Sequence, residues 1–354
     1  MLYLGSKMKI AMIGLGKMGG NMVLRCIQRG HSCVVFDANP ASVEALAKDN
    51  AKDREGVIPA RSLEDLKAKL GSPAVVWLML PSGQVTDQMI EKISGVLSAG
   101  SIVVDGGNAY FKDDVRHAKA LSRRNIRYLD VGVSGGVWGL ERGYSLMIGG
   151  DADAARQLEP IFEALAPGIQ SAAVTEGRSI GGRDATRTAD RGYLYCGPTG
   201  SGHFVKMVHN GIEYGMMQAL AEGFDILKGA ASDEIAEEFR YALDLREVSE
   251  VWRRGSVVSS WLLDLIAVAL NADPQLSRFE GHVPDSGEGR WTVQAALEEG
   301  IPATVLSAAL YARFRSREAR SFADQMLSAM RFGFGGHAES PKSSSNAHDH
   351  MRAS

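Results

Sequence analysis

Apolar residues follow two regimes along the chain. In the first half they form short runs: Met8–Ile13, Ser32–Phe36, Val75–Leu80, Ser101–Val104, Ile126–Val131 and Ser145–Gly150. Short runs ended by glycine or polar residues predict strands of a parallel sheet buried on both faces. Between the first two runs, Met22, Val23, Cys26 and Ile27 recur at helical spacing and stop at Gly30, a residue suited to a left-handed helix end. From Gly200 the pattern turns helical: Phe204, Val205, Met207, Val208, Ile212, Met216, Met217 and Leu220 share one periodicity, which continues to Leu227. Further helical stretches are expected over 232–251, 257–270, 290–298 and 302–329. The expected organisation is an α/β N-terminal domain over residues 8–166 and an all-α domain over 199–337. Residues 167–198 lose periodicity and read as a loop or insertion with a short ordered patch at Tyr193–Cys196. Residues 338–354 are polar and read as a disordered tail, and Met1–Lys7 as a frayed extension.

The first run leads straight into Gly14-Leu15-Gly16-Lys17-Met18-Gly19, and the second ends in Asp37. Strand, glycine turn, helix, strand and terminal acid together form a Rossmann-type dinucleotide unit. Its glycines let the backbone approach a pyrophosphate, the phosphates sit on the helix N-terminus, and the acid accepts from the ribose hydroxyls. A carboxylate at Asp37 repels a 2′-phosphate, and Asn39-Pro40 follows without an arginine to cradle one. NAD is therefore favoured, with NADP possible if more distant groups hold it. Later runs end in Pro81-Ser82-Gly83, Asp105-Gly106-Gly107-Asn108 and Gly132-Val133-Ser134-Gly135-Gly136. Strand ends are where open parallel sheets place ligands, so Asn108 and Ser134-Gly135-Gly136 are candidate substrate contacts; plain turn chemistry is the blander reading.

Within Gly202–Tyr214 the helical pattern carries polar residues that it does not need. Lys206 and Asn210 are one turn apart and Lys206 and Glu213 two turns apart, so a base, an amide and an acid share one helix face. A lone helix lysine or glutamate more often solvates a surface; the three together suggest a catalytic edge.

Composition narrows the classes. With 354 residues and 45% hydrophobic content there is room for two packed domains, while a net charge of -3 gives no case for nucleic-acid or membrane attraction. The apolar runs are too short to span a bilayer and no export signal is read, so a cytoplasmic protein is expected. Cys26, Cys33 and Cys196 are few and far from any ligand spacing, reading as buried thiols of a reducing compartment; no metal site is expected. His348-Asp349-His350 reads as solvated tail.

These motifs resemble the 6-phosphogluconate dehydrogenases (decarboxylating), in their shorter bacterial form. The resemblance rests on Gly14–Gly19, Asp105–Asn108, Gly132–Gly136, Ser145-Leu146-Met147 and above all Gly202–Tyr214. It continues through Trp252–Leu265, Gly289-Arg290-Trp291-Thr292 and Arg331 with His337 around Gly333-Phe334-Gly335, and so covers nearly all of Met8 to His337. It implies Lys206 as general base and Glu213 as general acid, with Gly14, Leu15, Gly16, Met18, Gly19, Asp37, Leu80 and Asn108 at the cofactor. Asn108, Ser134, Gly135, Gly136, His209 and Asn210 would hold the sugar acid, and Tyr214, Arg290, Thr292 and Arg331 its phosphate. Arg331 and His337 would come from a partner subunit, implying a homodimer with shared sites. The implied reaction converts 6-phospho-D-gluconate to D-ribulose 5-phosphate and CO2. Arg290 stands where longer members have lysine, and Asp37 replaces an Asn-Arg pattern of longer NADP-using members. A further phosphate-binding arginine of those members has no counterpart motif here, with Arg313 or Arg315 as substitutes to consider. Rival readings are a related β-hydroxyacid dehydrogenase of the 3-hydroxyisobutyrate type and a non-catalytic cofactor-sensing protein.

Overall fold

The computed structural model describes residues 7–49, 56–178, 187–318 and 321–335. The chain divides into two compact units, one of Met1–Ala221 with Ser286–Ser307 and one of Glu222–Asp285 with Ala308–Ser354. No helix of the described residues is long and apolar enough to cross a membrane.

The first unit is built on an eight-stranded sheet: β1 (Lys9–Ile13), β2 (Ser32–Phe36), β3 (Val57–Pro59), β4 (Val75–Leu78), β5 (Ile102–Asp105), β6 (Arg127–Ser134), β7 (Ser145–Gly150) and β8 (Tyr193–Gly197). Its order is β3-β2-β1-β4-β5-β6-β7-β8, parallel from β3 to β6. This is the doubly wound dinucleotide-binding order, with β7 running antiparallel to β6 and β8 parallel to β7. Helices α1 (Lys17–Gln28), α2 (Pro40–Asp49), α3 (Leu63–Leu70), α4 (Gln84–Val96) and α5 (Phe111–Ser122) alternate with the parallel strands. The short α6 (Gly139–Arg142), α7 (Ala152–Gln157) and α8 (Glu159–Leu165) flank β7 in sequence. Alternate strand residues serve opposite faces: Ile10, Met12, Trp77 and Val104 join one core cluster, Ala11, Ile13, Val76 and Val103 the other. Burial on both faces explains why the central strands read as unbroken apolar runs. Cys26 and Cys33 are free and buried, Cys196 partly so.

The helical part begins with α9 (Ser201–Gly229), followed by α10 (Leu245–Trp252), α11 (Trp261–Ala272), α12 (Glu288–Glu299), α13 (Thr304–Arg315) and α14 (Phe322–Gly335). The start of α9 lies almost on the sheet. A Cβ on Gly202 would come within 2.6 Å of the Asp130 carbonyl, and one on Gly132 within 2.3 Å of Lys206 Cβ. Only glycine at both places permits this approach, which explains why the first turns of α9 belong to the sheet's unit rather than to a separate helical domain. In the second unit, Leu263, Ala267 and Leu270 of α11 are buried, Phe224 meets Trp252 edge to face at 5.6 Å, and Arg253 pairs with Asp264 at 2.8 Å.

Three expectations need correction. The ordered patch expected at Tyr193–Cys196 is β8, which extends the sheet, but Thr188–Arg191 before it forms a 3-10 turn where loop was expected, with Leu146 N donating to Gly192 O at 2.9 Å. Residues 232–251 are not one helix, since between the 3-10 turn at Glu237–Phe239 and α10 the backbone is irregular. There the Arg240 guanidinium binds Ile235 O and Asp233 O at 2.6 and 2.8 Å, and Asp244 caps α10 by accepting from Arg246 N. Residues 302–329 form two helices, and just past α13 Ser316 Oγ donates to Arg313 O at 2.8 Å and accepts from Val283 N at 3.0 Å. The tail at 338–354 lies outside the described residues, as does His337.

Candidate active site

The glycine turn between β1 and α1 is shaped for close backbone approach. Gly14 has φ +95° and a Cβ there would sit 2.4 Å from Met79 O; on Gly19 it would sit 2.0 Å from Gly14 O. Gly16, the N-cap of α1, faces open space and supplies no side-chain cap, so helix N–H groups remain for an anion. Asp37 at the end of β2 closes on this turn: Oδ2 accepts from Leu15 N at 2.6 Å and Oδ1 from Asn39 N at 2.8 Å. A carboxylate has about four acceptor positions, so two bonds leave capacity for ribose hydroxyls. Leu80 lies beside the turn, since a Cβ on Gly14 would reach its Cδ2 at 3.0 Å and one on Gly107 its carbonyl at 2.4 Å. Met18 is partly buried on α1, and Asn108 is exposed just beyond β5. These residues fit a nicotinamide dinucleotide: an uncapped helix N-terminus, a cradle that admits no Cβ, and an acid at the far strand end.

The turn after β6 joins this crevice. Gly135 and Gly136 take φ +143° and +54°, and Val137 O accepts from Asn21 Nδ2 of α1 at 3.0 Å. Ser134 Oγ lies 3.3 Å from His209 Nε2.

From there a polar row runs through the buried face of α9. Lys206 Nζ donates to Asn210 Oδ1, which lies 2.9 Å from His209 Nδ1, while Asn210 Nδ2 donates to Glu288 Oε1 at 2.7 Å. An amide oxygen only accepts, so His209 carries its proton on Nδ1; in the neutral ring Nε2 then accepts from Ser134. Burial is the largest influence on Lys206 and lowers its pKa from the usual lysine value, opposed by the charges of Glu288 and Glu213. Gly132 supplies the room its stem occupies. Glu213 is half-buried, lies on the same helix, and takes no side-chain hydrogen bond among the described residues. A lysine poised toward its neutral form beside an amide and an acid can exchange protons with a bound hydroxyl.

Helix α12 closes the row. Tyr214 is buried against Gly289, and its hydroxyl accepts from Ser286 N at 3.1 Å and lies 3.2 Å from Ser286 Oγ. Ser286 Oγ in turn donates to Glu288. Thr292 Oγ1 lies 2.8 Å from both Met207 O and Glu288 O, so its proton serves helix packing, and Gly211 makes space for it. Arg290 is exposed on α12, whose Trp291 stacks on Tyr110 at 5.2 Å. Arg331 is exposed on α14 of the second unit. Arg313 donates to Pro284 O at 2.9 Å and Arg315 pairs with Asp324 at 2.5 Å. Glu288 and Ser286 escaped sequence reading. Their only signal is a glutamate set between glycines at a helix start, and the Asn210 that gives it meaning is 78 residues away.

Residues 9–175 match the family model for the NAD binding domain of 6-phosphogluconate dehydrogenase, and residues 202–240 that for its C-terminal domain. A Haloferax volcanii NAD(+)-dependent, decarboxylating 6-phosphogluconate dehydrogenase is 38% identical over 331 residues, covering 93% of this chain and 98% of the relative. A Bacillus subtilis NADP(+)-dependent, decarboxylating enzyme is 33% identical over 334 residues, of which the matched part is 65% of its length. The solved Plasmodium falciparum 6-phosphogluconate dehydrogenase is 28% identical with a TM-score of 0.71, covering 96% of this chain and 67% of that one. Matched along almost all its length by a relative that it spans almost end to end, the chain belongs to the 6-phosphogluconate dehydrogenase family.

Proposed function

We propose that this chain oxidises and decarboxylates 6-phospho-D-gluconate to D-ribulose 5-phosphate and CO2, with NAD as the favoured partner. The observation that carries this reading is the buried Lys206 with lowered pKa, bonded to Asn210 and sharing a helix with Glu213. When bound, the dinucleotide supplies the acceptor for the hydride that leaves C3. Neutral Lys206 takes the C3 hydroxyl proton as that hydride departs. The product ketone lies β to the carboxylate, and protonated Lys206 now donates to its oxygen, where charge gathers as CO2 leaves. Glu213 then protonates C1 of the enediol. Ser134, Gly135, Gly136, His209, Asn210 and Asn108 are assigned to the sugar acid. Tyr214, Arg290, Thr292 and Arg331 are assigned to the phosphate, Thr292 also holding α12 on α9.

A homodimer with shared sites goes with this reading, Arg331 and His337 crossing between subunits. It is supported by the second unit's exposed apolar residues, among them Ile226, Val251, Val268, Leu327 and Phe332. The NAD preference rests on Asp37, and relatives of both cofactor kinds exist.

Incubation with 6-phosphogluconate and NAD should release NADH and CO2; neither product, with 3-hydroxyisobutyrate oxidised instead, would sink the reading. Lys206→Ala should lower kcat by about 10²–10⁴-fold while leaving NAD binding nearly intact, and an unchanged rate removes Lys206 as base. Asp37→Ala should narrow the gap between the kcat/KM values for NAD and NADP. A wild type that already prefers NADP overturns the Asp37 argument.

A further inference from the structure

Glu288 is the buried group that the mechanism above leaves without a task. It is 2% exposed at the first turn of α12, and among the described residues it forms no direct salt bridge. Its two oxygens are nonetheless both held: Oε1 accepts from Asn210 Nδ2 at 2.7 Å, and Oε2 accepts from Ser286 Oγ. With the Ser286 proton spent on Glu288, the Tyr214 hydroxyl at 3.2 Å donates to Ser286 Oγ. Two donor runs thus converge on Glu288, Tyr214 and Ser286 from one side and Lys206 and Asn210 from the other.

The carboxylate, which only accepts, fixes the direction of both runs. Were the Asn210 amide turned over, its oxygen would face Glu288 Oε1, setting acceptor against acceptor in a buried site, and its NH2 would face the ammonium of a protonated Lys206. Glu288 therefore decides which end of Asn210 meets the lysine. It is also a negative charge one residue removed from a lysine that must alternate between charged and neutral forms. The groups facing Lys206 are few: Glu288 from α12, Glu213 from its own helix, and His209 through the shared Asn210 oxygen. Strand β6 presents uncharged Gly132 and, through His209, Ser134, while its Asp130 is turned to Gly200 N and His203 N at the start of α9.

We propose that Glu288 is a positioning residue for the base: its carboxylate orients Asn210 toward Lys206, and its charge sets the pH at which Lys206 releases its proton. The proposal rests on the assignment of Lys206 as base. The tests use the full chain with 6-phosphogluconate and NAD, recording kcat against pH. Glu288→Gln keeps an acceptor for Asn210 but removes the charge, so the acid limb should move down by about one pH unit. Ser286→Ala leaves the charge and removes its neutral donor, so the limb should move up instead. Glu288→Ala frees the amide and should cost about 10-fold or more in kcat, largely restored by Glu288→Asp. An acid limb unmoved in both Glu288→Gln and Ser286→Ala overturns the proposal, even where Lys206→Ala is inactive. Full turnover by Lys206→Ala would instead sink the base assignment beneath it.

Discussion

His203 and Lys206 lie one helical turn apart on α9, are 2% and 6% exposed, and are treated in opposite ways by their surroundings. For both, burial is the largest influence and favours the neutral form. At His203 it is outweighed: Nδ1 bonds Asp114 Oδ2 at 2.8 Å, Asp105 and Asp130 add their charges, and the imidazole is pushed up to about 9. At Lys206 two acids, Glu288 and Glu213, do not outweigh it, and the amine stays poised. The number and closeness of carboxylates, not depth, decides whether a buried cation is locked or free to cycle. The locked one anchors the helix. Asp130 accepts from Gly200 N at 2.7 Å and His203 N at 3.0 Å, fastening the start of α9 to β6, and Tyr128 donates to Asp114 at 2.8 Å. Burial raises the pKa of Asp105 and Asp130, a cost that the histidine's positive charge offsets.

The largest expected effect therefore falls on the anchor. Because His203 is raised from 6.5 to about 9 on folding, its charge contributes stability that is complete below pH 6.5 and is lost as pH rises through about 9. That shift is worth about 3 kcal/mol. Asp114→Asn should remove most of it between about pH 5 and 6.5, with the gap from wild type closing toward alkaline pH. Denaturant melts across that range decide it. A gap that widens with pH would mean His203 is neutral in the fold, and the contrast with Lys206 would collapse.

How much of this was visible beforehand follows from how local each feature is. Strands β1, β2, β4, β5 and β6 are legible because burial on both faces leaves them few polar positions, whereas β3, with only Val57 buried, gives no such run. Lys206, Asn210 and Glu213 were legible because helical spacing alone places them together. Strand β8 is legible only as a short ordered patch and not as part of the sheet, since Leu194 and Tyr195 are exposed on an outer strand and its run of polar neighbours reads as loop. The break after α9 was hidden too, because it depends on where Arg240 and Asp244 spend their hydrogen bonds. Least legible were the buried partnerships, His203 with Asp114 across 89 residues and Asn210 with Glu288 across 78. Spacing has no hold on them, and they decide which cation is locked and which is poised.

The comparison is sharpened by removing the poised pair altogether. Lys206→Met alone is a poor test, because the Glu288 carboxylate stays buried with no cation near it even where Lys206 would be protonated. Combined with Glu288→Gln, the change removes both charges, keeps an oxygen for Asn210, and fills the lysine's channel with a flexible apolar chain. The double variant should be inactive yet more stable than wild type, by about 1 kcal/mol or more at pH 7. On the proposed role of Lys206 as base, the site holds an amine that the fold alone would not choose, whereas the His203 cluster holds α9 in place. If the double variant instead melts below wild type, Lys206 and Glu288 are anchoring α9 as His203 and Asp114 do. Carboxylate count would then no longer separate the two turns of the helix.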